Sequence, residues 1–127
     1  MNIAEIIDGF KKTSRYSENP TFTAHQLQKW TEEFEFQFPT DFKTAVTGGK
    51  YDKETFHFIQ PFKDESERFL IFAEWNKEYF GFPVDGTATN PEVYVIFKGM
   101  KPEKKFKNFL EWFTLVYEMS IRPANPE

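Results

Sequence analysis

The chain has 127 residues, of which 20 are acidic and 16 basic, giving a formal net charge of −4, and it contains no cysteine. This length suits one domain with its own core, so we expect a single domain over residues 1–127. The missing cysteine excludes disulfide scaffolds, thiol catalysis and cysteine-ligated metal sites. The acidic balance argues against a nucleic-acid binder and favours a basic partner.

Membrane and export signals are not visible in the sequence. Its apolar segments are all much shorter than the roughly 20 residues of a membrane span. The first residues lack the basic stretch and apolar segment of a signal peptide. We therefore expect a soluble, cytoplasmic protein that does not engage a membrane.

The first half of the chain predicts helices. Asn2 and Glu5 form a capping-box pattern that opens a helix through about Lys12, and Thr23 and Gln26 open a second helix in the same way. Polar residues 13–20 predict the loop between them.

A third, short helix is predicted after Phe38 and Pro39. Thr40 would cap its start, and the pair Gly48 and Gly49 would end it through a left-handed C-cap. We interpret Pro39, both glycines and Trp30 as structural residues.

The hydrophobic period then changes to that of strands. Four segments have a strand pattern: residues 55–59, 69–75, 79–84 and 92–98. Turn residues Asp85, Gly86, Asn90 and Pro91 separate the last two, and short connections favour an antiparallel meander. Residues 69–75 are apolar at both parities, which is typical of a strand covered on both faces.

Pro102 is predicted to open the last helix, which Arg122 and Pro123 would end. Apolar residues recur along it at helical spacing: Phe106, Phe109, Leu110, Phe113, Val116 and Tyr117. Helices, strands and a closing helix predict an α+β domain in which a mainly antiparallel sheet packs against helices.

No group of residues has the pattern of a catalytic, cofactor or metal site. His25 and His57 lie on different predicted elements and neither has a ligand-spaced partner. There is no glycine-flanked serine elbow, and Gly48 and Gly49 lack the lysine and hydroxyl of a phosphate loop. We expect no catalytic residues, cofactor or metal.

A lysine cluster precedes and enters the predicted last helix: Lys98, Lys101, Lys104, Lys105 and Lys107. Because Phe106 and Phe109 fall on the apolar stripe of that helix, we expect them to be buried and the lysines to form its solvated face. A nucleic-acid site is therefore not expected, although a basic patch that steers an acidic partner remains open.

Aromatic residues make up a fifth of the chain, with 17 Phe, 5 Tyr and 3 Trp. Helices can cover one face of a small sheet and leave aromatic side chains on the other, where they would mark a partner site. The candidates for this second face are Phe72, Trp75, Tyr79, Phe80, Phe82 and Tyr94. A second small core under loops or a dimer contact would explain the surplus equally well.

The order of several motifs resembles the SUKH superfamily over about residues 23–119. The motifs are Trp30-Thr31-Glu32-Glu33, then Phe38-Pro39-Thr40-Asp41-Phe42-Lys43, then Gly48-Gly49, followed by the strands, Asp85 after Phe82-Pro83-Val84, and Phe106-Lys107-Asn108-Phe109-Leu110. One departure is Thr47, which stands where the family usually has asparagine before the glycine pair.

This resemblance implies a mixed α+β fold without catalytic residues. Bacterial members of the superfamily resemble immunity proteins that bind and neutralise a cognate toxin domain, often a nuclease. Fungal members act as regulators of cell-wall assembly through protein contacts. A net negative charge would suit a basic nuclease as partner.

The leading hypothesis is therefore a non-catalytic protein-binding module of the immunity type. Its predicted contact residues are Glu74, Trp75, Glu78, Tyr79 and Phe80. Two alternatives stay open: a regulatory or scaffolding adaptor, and a small hydrolase or ligand-binding domain that would use Glu74, Asp85 and His57. The oligomeric state and the identity of a toxin do not follow from the sequence.

Overall fold

The structure, a computed structural model, describes residues 1–51, 56–85, 89–97 and 99–121. The described residues form helices α1 (Ile3–Lys11), α2 (Ala24–Phe34), α3 (Thr40–Gly48) and α4 (Phe109–Ile121), and strands β1 (His57–Lys63), β2 (Phe69–Trp75), β3 (Glu78–Pro83), β4 (Val93–Ile96) and β5 (Glu103–Phe106). All neighbouring strands are antiparallel and their order in the sheet follows the chain. The α+β fold and the antiparallel meander are confirmed.

Both predicted capping boxes are present. At α1 the Asn2 side chain accepts from the Glu5 backbone N–H at 2.9 Å, and the Glu5 carboxylate accepts from the Asn2 N–H at 2.8 Å. At α2 Thr23 and Gln26 exchange the same pair of bonds, at 3.1 and 2.9 Å. Each box satisfies two backbone donors that a helix start leaves free, which fixes where these helices begin.

Helix α3 departs from the prediction at both ends. Pro39 occupies the N-cap without a side-chain hydrogen bond, so Thr40 is the first helical residue and does not cap the helix. Gly49, at the C-cap, has φ 159° and ψ −175°, which is not the left-handed helical cap. A Cβ atom at Gly49 would lie 2.4 Å from Cε1 of Tyr16, so this glycine is required by the close approach of a ring.

The start of the last helix was predicted too early. Residues Glu103–Phe106 form β5, an edge strand paired with β4, and α4 begins only at Phe109. Asn108 is the better start signal, because its side chain accepts from the Glu111 backbone N–H at 2.9 Å. Residues 103–106 therefore form backbone hydrogen bonds with β4 and not a helical turn, although Phe106 fits the apolar spacing of the helix.

The later start of α4 changes where the predicted lysine cluster lies. Lys104 and Lys105 lie on the edge strand and Lys107 in the turn before α4, so they are not the solvated face of a helix. Lysine on an edge strand opposes pairing with a further strand.

Four predicted positions lie outside the described residues: the strand start at Thr55, the turn at Gly86, Lys98, and the helix end at Arg122 and Pro123.

The aromatic core lies between the helices and one face of the sheet. Phe42 of α3 is at its centre, with ring centroids 5.6 Å from Phe72, 5.7 Å from Phe82 and 5.4 Å from Phe109. Phe72 and Phe82 stack across β2 and β3 with centroids 4.4 Å apart. All four rings are fully buried, so the helices cover the centre of this face of the sheet.

A bulge in β2 determines which side chains reach this core. Ile71 pairs with Gly81 and Ala73 pairs with Phe80, so Phe72 is an extra residue in β2. Because of this insertion, Phe72 and Ala73 both join the core with Leu70, while Ile71 faces the other way. Residues 69–75 are thus apolar at consecutive positions for two reasons: both faces of β2 carry buried side chains, and the bulge turns two successive residues towards the core.

Candidate functional site

The second face of the sheet carries aromatic and aliphatic side chains over which no described helix packs. Phe69 and Ile71 are buried there, yet neither belongs to the main core. The ring of Phe69 lies 4.8 Å from that of Tyr94, and the ring of Phe62 lies 6.1 Å from that of Tyr79. We call this the open face of the sheet.

A glycine sets the floor of the open face. Gly81 on β3 lies between Ile71 of β2 and Ile96 of β4, whose Cδ1 atoms would be 3.2 and 3.1 Å from a Cβ atom placed there. The missing side chain lets the two isoleucines approach each other above the middle strand. The floor is therefore apolar and tightly packed.

A groove of about 490 Å³ lies on this floor. The residues that line it come from the strands, from the β1–β2 turn and from the β4–β5 connection: Phe62, Asp64, Glu65, Ser66, Arg68, Phe69, Ile71, Tyr79, Ile96, Phe97, Gly99, Met100 and Pro102. Phe62, Phe97 and Met100 are 44%, 41% and 66% exposed, which is unusual for side chains of this type. Contiguous exposed apolar surface with a charged rim is typical of a protein interaction site.

The β1–β2 turn is held in place by the Asp64 carboxylate. It accepts hydrogen bonds from the Ser66 hydroxyl at 2.7 Å and from the backbone N–H groups of Arg68 and Phe69 at 3.1 and 3.0 Å. Partial burial raises the pKa of this carboxyl group, but the hydrogen bonds from Ser66, Phe69 and Arg68 together outweigh burial and hold the pKa below its usual value. Asp64 is therefore an ionised, fixed charge at the rim of the groove.

The predicted contact residues divide between the two faces of the sheet. Glu74 and Tyr79 pair across β2 and β3 on the open face, and Tyr79 lines the groove. Trp75 and Glu78 pair on the opposite face, where Trp75 packs against the core. Phe80 is 2% exposed in that core, so it offers almost no surface to a partner. Partner contact stays a prediction for all five residues.

The open-face candidates show the same division. Tyr79 and Tyr94 lie on the open face, whereas Phe72 and Phe82, like Phe80, are buried under the helices. Phe80 and Phe82 share one parity of β3, and the helices pack on that side of the sheet, where Leu70 and Phe72 also lie; the β2 bulge adds Ala73 to the same side. A sequence does not reveal where one extra residue enters a strand, so the parity could not be assigned.

The groups of the hydrolase alternative do not converge. His57 and Glu74 pair across β1 and β2, but Asp85 follows β3 at the other end of the sheet. Asp85 and His57 line two different cavities. Among the residues that the structure describes, no three His, Asp or Glu side chains gather in a geometry that could hold a metal ion.

Sequence reasoning missed several residues of the groove: Phe62, Asp64, Ile96, Phe97 and Met100. Asp64 had a recognisable signal, because Asp-x-Ser between two strands is typical of a side-chain-capped turn. Phe97 and Met100 had none, because an apolar residue in a short connection has no period that indicates its direction.

Comparisons of the chain with protein-family models, with curated proteins and with solved structures find no match. Among the described residues, no helix has the length and apolar character needed to cross a membrane.

Proposed function

We propose that the protein is a non-catalytic protein-binding module of the immunity type, which binds a basic toxin domain and blocks its action. The observation that carries the proposal is the open face: a sheet surface with an apolar groove of about 490 Å³ and a charged rim that no described helix covers. Aromatic and aliphatic anchors at the centre of an interface supply most of its binding energy.

The charge of the molecule supports the same proposal. The formal net charge is −4, and acidic side chains stand at both ends of the open face, at Asp64 and Glu65 on one side and at Glu74 on the other. An acidic surface accelerates encounter with a basic protein and orients it. The resemblance to the SUKH superfamily supports the choice of a toxin as that protein.

Inhibition on this proposal is steric and electrostatic. The anchors on the open face lose their contact with water when the toxin docks, and the acidic rim aligns basic residues that the toxin uses on its own target. The module forms and breaks no covalent bond.

Co-expression tests the proposal directly. The protein is produced in cells together with each toxin encoded beside its gene, and growth and complex formation are measured. Protection by the wild-type chain that Met100→Glu abolishes supports the proposal. Met119→Glu is the matched control, because Met119 is 37% exposed on α4, away from the open face. Absence of both protection and a complex for every neighbouring toxin contradicts the proposal.

The adaptor alternative shares the surface and differs in the number of partners. An adaptor would retain several unrelated cellular proteins on the open face, whereas an immunity protein retains one. The same Met100→Glu variant, used in affinity capture followed by mass spectrometry, distinguishes the two.

A further inference from the structure

The exposed apolar side chains of the chain are concentrated around one groove. Six large apolar side chains are exposed among the described residues, and three of them, Phe62, Phe97 and Met100, line the groove of the open face. The floor offers less surface, because Ile71 is 1% exposed and Tyr79 is half-buried. A second molecule would therefore cover apolar surface mainly at the sides of the groove.

These three side chains stand on opposite sides of the groove. Phe62 lies near the end of β1, beside the β1–β2 turn, whereas Phe97 and Met100 belong to the β4–β5 connection. Strand β3 is the middle strand of the sheet and lies between the two sides. A two-fold axis that passes in front of β3, parallel to the sheet, would exchange the sides. Phe62 of one copy would then meet Phe97 and Met100 of a second copy.

The two sides also differ in charge. The β1–β2 turn contributes Asp64, Glu65 and Arg68 to the groove, which sum to a negative charge. The β4–β5 connection contains no acidic residue; its Lys101 is exposed, and its Lys98 lies outside the described residues. The rim as a whole does not favour a partner of either sign, but each side complements the other. The same two-fold axis would bring Glu65 of one copy towards Lys101 of the second.

Both of these charged groups are available for such a contact. Glu65 and Lys101 are exposed, and neither forms an ion pair with a residue that the structure describes. Arg68 instead lies 6.0 Å from the centre of the Phe69 ring in its own turn. Exposed ion pairs add little affinity, but they disfavour arrangements in which like charges meet. The pair would thus select the two-fold arrangement.

The area of the open face limits the strength of this association. Five strands of four to seven residues give a sheet face of roughly 400 Å² per copy at the usual strand spacing and rise. Two such faces fall at the low end of protein interfaces, below the ~1,200 Å² of a stable standard one. A dimer through this face should accordingly be weak, with a Kd of about 10 µM or higher.

We propose that two copies of the free chain associate through their open faces as a weak, two-fold symmetric dimer. Phe62 of each copy packs against Phe97 and Met100 of the other, and Glu65 of each lies opposite Lys101 of the other. This inference goes beyond the proposed function, because it concerns the chain without its partner. A protein that binds the open face more tightly would displace the second copy.

Analytical ultracentrifugation with exchanged charges tests the dimer. The wild-type chain should change from monomer to dimer between about 1 µM and 1 mM, a range that brackets the expected Kd. Glu65→Lys and Lys101→Glu should each weaken association about three- to tenfold, because like charges then meet twice in the dimer. An equimolar mixture of the two variants should recover the wild-type association, since both contacts are then Lys–Glu pairs. Recovery would also show that both variants are folded.

Glu33→Lys and Lys29→Glu are the matched controls, because they make the same charge changes at exposed positions of α2 and should alter the Kd less than twofold. A wild-type chain that stays monomeric over the whole range overturns the dimer. So does association that the two groove substitutions leave unchanged, or that the mixture does not recover. Any of these results leaves the proposed function standing, because protection against a toxin is measured separately by co-expression.

Discussion

The rings of Phe62 and Tyr79 meet edge to face over strand β2, with centroids 6.1 Å apart, although their own strands β1 and β3 are not neighbours. On the other face of the sheet, Phe72 of β2 and Phe82 of β3 stack at 4.4 Å beneath the helices. The sheet thus carries aromatic pairs on both faces, one pair partly open to water and the other dry. Their energetic roles should differ accordingly.

Truncation of these rings should show that difference. Phe72→Ala removes a fully buried ring and should lower the free energy of unfolding by about 3–5 kcal/mol. Phe62→Ala removes a ring that is 44% exposed and should cost less than about 1 kcal/mol. Urea titrations followed by tryptophan fluorescence measure both values. Similar losses for the two variants would mean that the open face belongs to the folding core.

The contact between Tyr16 and Gly49 predicts a steric effect. In Gly49→Ala the new Cβ atom would lie 2.4 Å from the Tyr16 ring, so we expect a loss of about 1–3 kcal/mol in unfolding free energy. Gly48→Ala is the control, because a Cβ atom there meets its nearest neighbour at 3.6 Å. In a Tyr16→Ala background the cost of Gly49→Ala should fall, and an unchanged cost would exclude the ring as its cause.

The floor of the groove depends on Gly81. In Gly81→Ala the Cβ atom would lie 3.0 Å from the Leu70 carbonyl oxygen and 3.1 Å from Cδ1 of Ile96, so about 1–3 kcal/mol should be lost. Ile96→Val removes that Cδ1 and should restore part of the loss in the double variant. A Gly81→Ala variant as stable as the wild type in thermal unfolding would contradict the packing described for this floor.

The Asp64 turn predicts a dependence on pH. Because hydrogen bonds hold the folded-state pKa of Asp64 below 3.8, ionised Asp64 favours the folded state. Its contribution is present at neutral pH and is lost as the pH falls below about 4 and through the folded-state pKa. Asp64→Ala should therefore cost about 1 kcal/mol at pH 7 and progressively less in acid.

Glu65→Ala is the matched control for this turn, because the exposed Glu65 side chain makes no hydrogen bond with the described residues. Its effect on urea unfolding should stay within about 0.5 kcal/mol at every pH. A difference between wild type and Asp64→Ala that is the same at pH 7 and in strong acid would show that ionisation of Asp64 plays no part.

Local signals explain what the sequence could predict of the fold. The capping boxes at Asn2 and Thr23 are short-range hydrogen-bond patterns, so they indicated two helix starts correctly. Residues 69–75 matched strand β2 at both ends because their strand pattern is strong. The prediction that Pro102 opens the last helix was wrong, because a proline is equally compatible with the residues before an edge strand. The pairing of β5 with β4 is a non-local contact, which the local pattern does not indicate.

The candidate site was predictable only in outline. Composition indicated an aromatic surplus and a sheet with one uncovered face, and Tyr79 and Tyr94 are indeed on that face. The buried position of Phe80 depends on which side of β3 the helices cover, and the groove wall at Met100 depends on the path of a connection. Both are tertiary features that no pattern within these segments encodes.

Successive side chains of β2 and β3 face either the core or the open face, and this separation has a consequence for evolution. Alternate residues of one strand serve two independent purposes: Phe82 anchors the interior, while Tyr79 and Gly81 shape the exterior. Substitutions at exterior positions such as Phe62 and Met100 leave the interior untouched. Side chains at such exterior positions can therefore change in the course of evolution at little cost in folding stability.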